Sequence, residues 1–166
     1  MPSLESESKG DTKDNDDDDK QAINTTLEKG ELLMYVASDA HTKLYGKNGV
    51  LTDFVNRYSM DWESAVEGER DGSGSPIKMM GKYKSYHDDY LELMESALDE
   101  VVRKNGGTLD RFMLDVNDAL AGGAGFLFED DNYSEFVEAV QSMTDFEIFH
   151  QMMIKECKKS MGGSYK

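Results

Sequence analysis

From Tyr83 to Val101 the chain carries an apolar stripe that an α-helix gathers onto one side. Tyr83, Tyr86, Tyr90, Leu93, Met94, Ala97 and Val101 recur every three or four residues. Asp88, Asp89, Glu92, Glu95, Asp99 and Glu100 fall on the opposite face, which is expected to meet water. Gly106 and Gly107 end the run. A helix this long and apolar on one side must be covered by other elements.

The rest of the chain supplies covers of the same period. A first helix is expected from roughly Leu27 to Tyr45, with Leu33, Val36, Ala40 and Leu44 on one face and Gly46 as its stop. A second runs from about Val50 to Glu67, with Leu51, Phe54, Val55, Tyr58, Trp62 and Ala65 inward. Gly68 to Ser75 reads as a charged Gly/Ser-rich loop. Ser75 and Pro76 suit the cap and first turn of a helix that Gly81 is expected to interrupt. After the Tyr83 stripe, Thr108 caps a fourth helix with Leu109, Phe112, Met113, Val116 and Leu120 inward, ended by Gly122, Gly123 and Gly125. A fifth, about Asn132 to Ser142, buries Phe136 and Val140.

The sixth begins at Thr144, which has capping-box spacing to Glu147. Phe146, Phe149 and Met153 form its stripe, Ile148 and Met152 widen it, and it fades after Cys157. No segment alternates as a strand does. The expected fold is all-α: a compact six-helix bundle over residues 27–160, with short tails at 1–26 and 161–166.

Residues 1–26 read as a disordered acidic tail, poor in large aliphatics and carrying Asp16, Asp17, Asp18 and Asp19 in a row. Asp16 to Lys20 matches a protease-cleavage sequence used in expression, but its surroundings are unlike a tag and the run is read as native. The formal net charge of the 166 residues is -16. That leaves no basic stripe to displace counterions from nucleic acid, and no electrostatic attraction to an anionic membrane. No apolar run approaches the roughly 20 residues of a membrane span, and the N-terminus lacks a signal-peptide core. The single Cys157 cannot form an internal disulfide and suits a reducing compartment, so a cytoplasmic protein is expected.

Catalytic and metal chemistry find little purchase. His41, His87 and His150 fall on separate helices without zinc-ligand spacing, and each is expected at the surface or its boundary. Cys157 reads as a small buried hydrophobe. Gly122 to Gly125 lacks the Gly-Lys-Ser/Thr of a phosphate loop. A calcium loop starting at Asp130 places Asn132 and Ser134 well, but Glu135 stands where the sharp turn needs glycine and Gln141 replaces the bidentate Glu. A frame starting at Asp115 fails at both positions. No catalytic residue, cofactor or metal is expected. What the chain does offer is eleven Met, seven Phe and eight Tyr, adaptable groups that pack cores and also line grooves for amphipathic helices.

The order of four segments adds to this reading. Leu51, Thr52, Asp53, Phe54 and Val55 precede an aromatic-containing helix and an acidic loop. Then come Tyr83 to Glu95, Thr108 to Phe112, and Thr144 to Met153. Together they resemble the BART family, binders of Arf-like GTPases, and most nearly the BART-like domains of cilia- and flagella-associated proteins. The resemblance spans about Leu32 to Lys158. Asp89 stands where the family has Glu before Tyr90, and the Gly-rich stretch after the fourth helix is unusual.

The resemblance implies six packed helices, no enzymatic activity, and binding of a GTP-loaded Arf-like small GTPase through an apolar groove that grips its amphipathic N-terminal helix. It also implies a place in ciliary or flagellar trafficking. On that basis Tyr86, Tyr90, Met94, Phe112, Phe149, Met152 and Met153 are expected near the groove, although the same periodicity serves a core equally well. The protein is expected to be a monomer that neither binds nucleic acid nor inserts into membranes. A rival expectation is a structural protein of the same fold with another helical or axonemal partner. A calcium sensor would instead change helicity or exposed apolar surface on binding calcium.

Overall fold

The chain is helical where the apolar stripes run and turns where glycine breaks them. A computed structural model describes residues 30–123 and 131–162. The acidic tail expected at 1–26 therefore lies outside the described residues, as does the stretch between Gly123 and α6. Helix α1 spans Glu31–Tyr45 and α2 spans Val50–Tyr58; a tight 3₁₀ turn, Ser59–Trp62, leads directly into α3, Glu63–Asp71. A second 3₁₀ turn, Ile77–Met79, opens into the long α4, Met80–Lys104. Then follow α5, Leu109–Asp118, with a π-turn at Ala119–Gly123, α6, Asp131–Thr144, and α7, Phe146–Gly162. With α2, the 3₁₀ turn and α3 counted as one run, this is the expected six-helix, all-α fold, and no strand occurs among the described residues.

Helix α4 is the axis. It packs against α1, α2, α5, α6 and α7, and its stripe residues Tyr83, Tyr90, Met94, Ala97 and Val101 are buried. Helix α7 lies across the 3₁₀ turn and along α6. At the turn the helix narrows, and Trp62 is fully buried beneath α7. Gly68 lets the following loop fold back: its carbonyl accepts from the Gly74 N–H at 2.9 Å. A Cβ at Gly68 would lie 1.9 Å from the Gly74 carbonyl oxygen, so no side chain fits there without moving backbone. At Gly107, just before α5, the close neighbour is a side chain instead: a Cβ would meet Leu32 Cδ2 at 2.6 Å.

Four local expectations are corrected. Gly81 does not interrupt a helix, because α4 begins at Met80 and passes through it. The helical penalty of one glycine, about 1 kcal/mol, is outweighed by burial of Tyr83 and Tyr90 in the same helix. Thr144 is not the cap of the last helix. It is the final residue of α6, and its hydroxyl donates to the Gln141 carbonyl at 3.4 Å. The cap is Asp145, whose Oδ1 accepts from the N–H groups of Glu147 at 2.9 Å and Ile148 at 3.2 Å. Ser75 caps no helix, since its hydroxyl is engaged by His150. Leu120 is exposed, because the π-turn, with Gly122 at φ 98°, carries the chain out of the α5 stripe.

Candidate partner-binding site

Helix α7 presents two faces with different chemistry. One carries Phe149, His150, Met153 and Cys157, all buried in the core. Phe149 closes an aromatic hub. Trp62 stacks on Tyr83 at 4.5 Å between ring centroids and meets Phe149 edge-on at 5.8 Å. Tyr90 lies 5.0 Å from Phe149, and Phe54 meets Tyr90 edge-on at 5.6 Å. Such pairs each contribute about 0.5–1.5 kcal/mol beyond the area they bury. The buried hydroxyl of Tyr90 donates to the Ala139 carbonyl at 2.7 Å, joining α4 to α6. Burial raises its pKa well above that of a free phenol.

His150 corrects the expectation that all three histidines lie at the surface or its boundary. It is buried, while His41 is exposed and His87 is half-buried with Nε2 2.6 Å from the Ser142 carbonyl. The Trp62 indole donates to His150 Nδ1 at 2.9 Å. An indole nitrogen only donates, so Nδ1 is the bare acceptor; the proton sits on Nε2, which donates to Ser75 Oγ at 2.7 Å. Burial lowers the pKa of this imidazole, against smaller opposing pulls from Glu147 and Glu69. His150 thus ties α7 to the 3₁₀ turn and to the loop that Gly68 folds back.

The second face of α7 carries Lys155, Glu156 and Lys159 beside Met152, which is itself buried at 7 % exposure, and forms one wall of an open cleft of about 220 Å³. Leu51, Thr52, Val55 and Asn56 of α2 form another wall, and Glu135, Glu138 and Ala139 of α6 the third. Tyr45 joins from the last turn of α1, its hydroxyl donating to the Glu135 carbonyl at 3.1 Å. Burial, and then the carboxylates of Glu135, Glu138 and Glu156, push the Tyr45 phenol far up, so it remains a neutral donor. The interior is apolar through Leu51, Val55, Ala139 and Met152, and the rim is charged. Cavities of about 150 Å³ accept a benzene-sized group, so this cleft has room for one or two aliphatic side chains.

The residues expected near a groove divide between these two regions. Tyr90, Met94, Phe112, Phe149 and Met153 are fully buried. Phe112, on α5, packs near Phe136 of α6, with ring centroids 6.1 Å apart. Tyr86 is half-buried on the seam of α4 and the 3₁₀ turn, 4.6 Å from the Tyr58 ring and donating to the Asp61 carboxylate. Lys82 completes that cluster, 3.0 Å from Asp61. The hydrogen bond from Tyr86, with help from Lys82, lowers the Asp61 pKa. Of the seven, only Met152 lines the cleft.

Tyr45, Thr52, Asn56 and Glu135 line it without having been singled out. The i, i+1, i+4, i+5 pattern of Leu51, Thr52, Val55 and Asn56 was the available signal. Among the described residues, no group of three His, Cys, Asp or Glu side chains could hold a metal ion. No helix among them is long and apolar enough to cross a membrane. Cys157 is buried, as expected of a small hydrophobe, and burial raises its thiol pKa.

Residues 49–161 match the family model described as the ARF-like 2 binding protein BART. Searches of curated proteins and of solved structures each give no match. The matched stretch runs from α2 into the end of α7 and takes in every wall of the cleft except Tyr45. Because it also covers well over half of the sequence, the chain belongs to the BART family.

Proposed function

We propose that this protein is a non-enzymatic effector or adaptor that binds an Arf-like small GTPase of the ARF-like 2 type. The observation that carries the reading is the family match over residues 49–161. The finer part is that the GTP-loaded form is selected, because nucleotide exchange frees an amphipathic N-terminal helix that the GDP form keeps to itself. A binder with affinity for the freed helix then shifts with nucleotide state. We place one apolar ridge of that helix in the cleft of α2, α6 and α7, with Met152 as the one groove residue in direct contact. Tyr90, Met94, Phe149 and Met153 act behind it as the packed frame, and Phe112 supports α6. The cleft's aliphatic interior and charged rim support this placement. A cytoplasmic monomer working in ciliary or flagellar trafficking is the cellular counterpart of the reading.

Titration against an Arf-like 2 GTPase, loaded in turn with a non-hydrolysable GTP analogue and with GDP, tests it. Binding at least tenfold tighter in the GTP-like state is expected. Equal affinity in both states, or none in either, would remove the effector reading and leave a structural helical protein with another partner.

A further inference from the structure

We infer that Glu135 is a specificity determinant of the cleft: its carboxylate receives a basic residue placed one helical turn from the aliphatic side chain that fills the interior. The inference rests on the cleft being the docking site and adds what the site selects for. Five charged side chains ring the cleft, and four are already matched. Lys155 stands 3.5 Å from Glu138, and Lys159 stands 2.5 Å from Glu156. The Glu135 carboxylate makes no hydrogen bond or ion pair within 4 Å among the described residues; Lys159 attracts it from farther off but is already bound to Glu156. The rim therefore carries one carboxylate in surplus.

That carboxylate is held in a defined place. The Glu135 backbone carbonyl accepts the Tyr45 hydroxyl, which ties this turn of α6 to the end of α1 beside the apolar interior. An exposed carboxylate at such an edge keeps its hydration and gives up little of it when a cation arrives. On a helical ligand, residues three or four apart share a face, about 5–6 Å between Cβ atoms. An aliphatic residue seated between Leu51, Val55 and Met152 would thus carry a Lys or Arg one turn away to the level of the rim. A ligand with a carboxylate at that position would meet a surplus of its own sign, on a chain whose net charge is already -16. The expected occupant is an amphipathic helix with an aliphatic–basic pair at i, i+3 or i, i+4, rather than an acidic helix or a fatty acid.

The test uses the full chain and an Arf-like 2 GTPase loaded with a GTP analogue, titrated at low salt and at about 0.5 M salt. Asn56→Trp fills the mouth of the cleft from an exposed position and is expected to weaken binding by about thirtyfold or more at both salts. Thr52→Arg, on the same wall, is a second obstruction should the tryptophan variant fold poorly. Glu135→Gln is expected to weaken binding about threefold and Glu135→Lys about tenfold at low salt, with both losses shrinking at high salt. If the obstructing variants lose affinity while both Glu135 variants match wild type at both salts, the inference falls and the cleft remains the docking site. If the obstructing variants bind as wild type does, the partner docks elsewhere and both fall together.

Discussion

The aromatic hub and the cleft lie on two faces of one helix, and they differ in what each leaves for a partner. The hub around Trp62, Tyr83, Tyr90 and Phe149 is closed, and its polar atoms find partners inside the protein: indole to imidazole, phenol to carbonyl. The cleft around Val55 and Met152 is open, its interior is aliphatic, and its rim holds a carboxylate, Glu135, without a close ion pair among the described residues, since Lys159, which attracts it, is bound to Glu156. Satisfied polar groups and stacked rings fix one geometry, which suits a scaffold. Flexible Met and small aliphatic groups beside exposed charge suit an adaptable contact. The hub should therefore carry stability and the cleft should carry binding, and substitutions can separate the two.

The largest effect expected is that of Trp62→Ala, which empties the centre of the hub and removes the hydrogen bond to His150. A loss of about 3–5 kcal/mol is expected in denaturant unfolding. The affinity of the fraction that stays folded for the GTPase should change far less than with Asn56→Trp. A loss of affinity as large as that of the cleft variant would show that the two regions work as a single unit.

Gly68→Ala ranks next. The added methyl group collides with the Gly74 carbonyl and not with a side chain that could swing away. A cost of about 1–3 kcal/mol is expected, as for overpacking elsewhere. Because the displaced loop carries Ser75, the cross-peaks of His150 in an NMR spectrum should shift with it. Stability equal to wild type would mean that the loop does not need its close approach to α3.

Periodicity located the helices well, because each stripe has to be covered whatever covers it. The stripe on α4 predicts burial of Tyr83, Tyr86, Tyr90, Leu93, Met94, Ala97 and Val101, and all are buried except Tyr86 and Leu93, which are half-buried. The cleft proposed as the groove is far less legible. Phe149 and Met152 are three residues apart on one amphipathic helix and both are buried, yet one closes the hub and the other also borders the cleft. The distinction depends on where α2 and α6 stop covering α7, which is a tertiary fact. Tyr45 reaches the cleft from the last turn of α1, outside any stripe. The burial of His150 is hidden from local pattern for a related reason, since its two partners lie 88 and 75 residues away.

The Thr144–Asp145 joint gives a sharper and smaller test of local reading. Asp145→Ala removes the acceptor of two backbone N–H groups and is expected to cost about 1 kcal/mol. Thr144→Ala should change stability by less than about 0.5 kcal/mol. Reversed magnitudes in thermal or denaturant unfolding would restore the capping box that the sequence spacing suggests.

The smallest effect is confined to a window of pH and belongs to the hub alone. His150 accepts from Trp62 through a bare Nδ1, so protonation would set N–H against N–H in a buried site. Its native pKa is lowered by burial, whereas the unfolded chain binds the proton near pH 6.5. As the pH falls from above 6.5, the unfolded state therefore takes up a proton that the native state refuses, and stability declines until the lowered native pKa is reached. Below that point both states are protonated and this group contributes no further change. Glu147 and Glu69 narrow the window by favouring the imidazolium, but burial outweighs them. Unfolding followed between about pH 7 and pH 5 should thus show a slope in wild type that is reduced in His150→Gln, whose amide still offers the indole an acceptor. Parallel curves for the two proteins would mean that native His150 takes up its proton as readily as the unfolded chain does, giving up the Trp62 hydrogen bond, and that the hub is less closed than the cleft comparison requires.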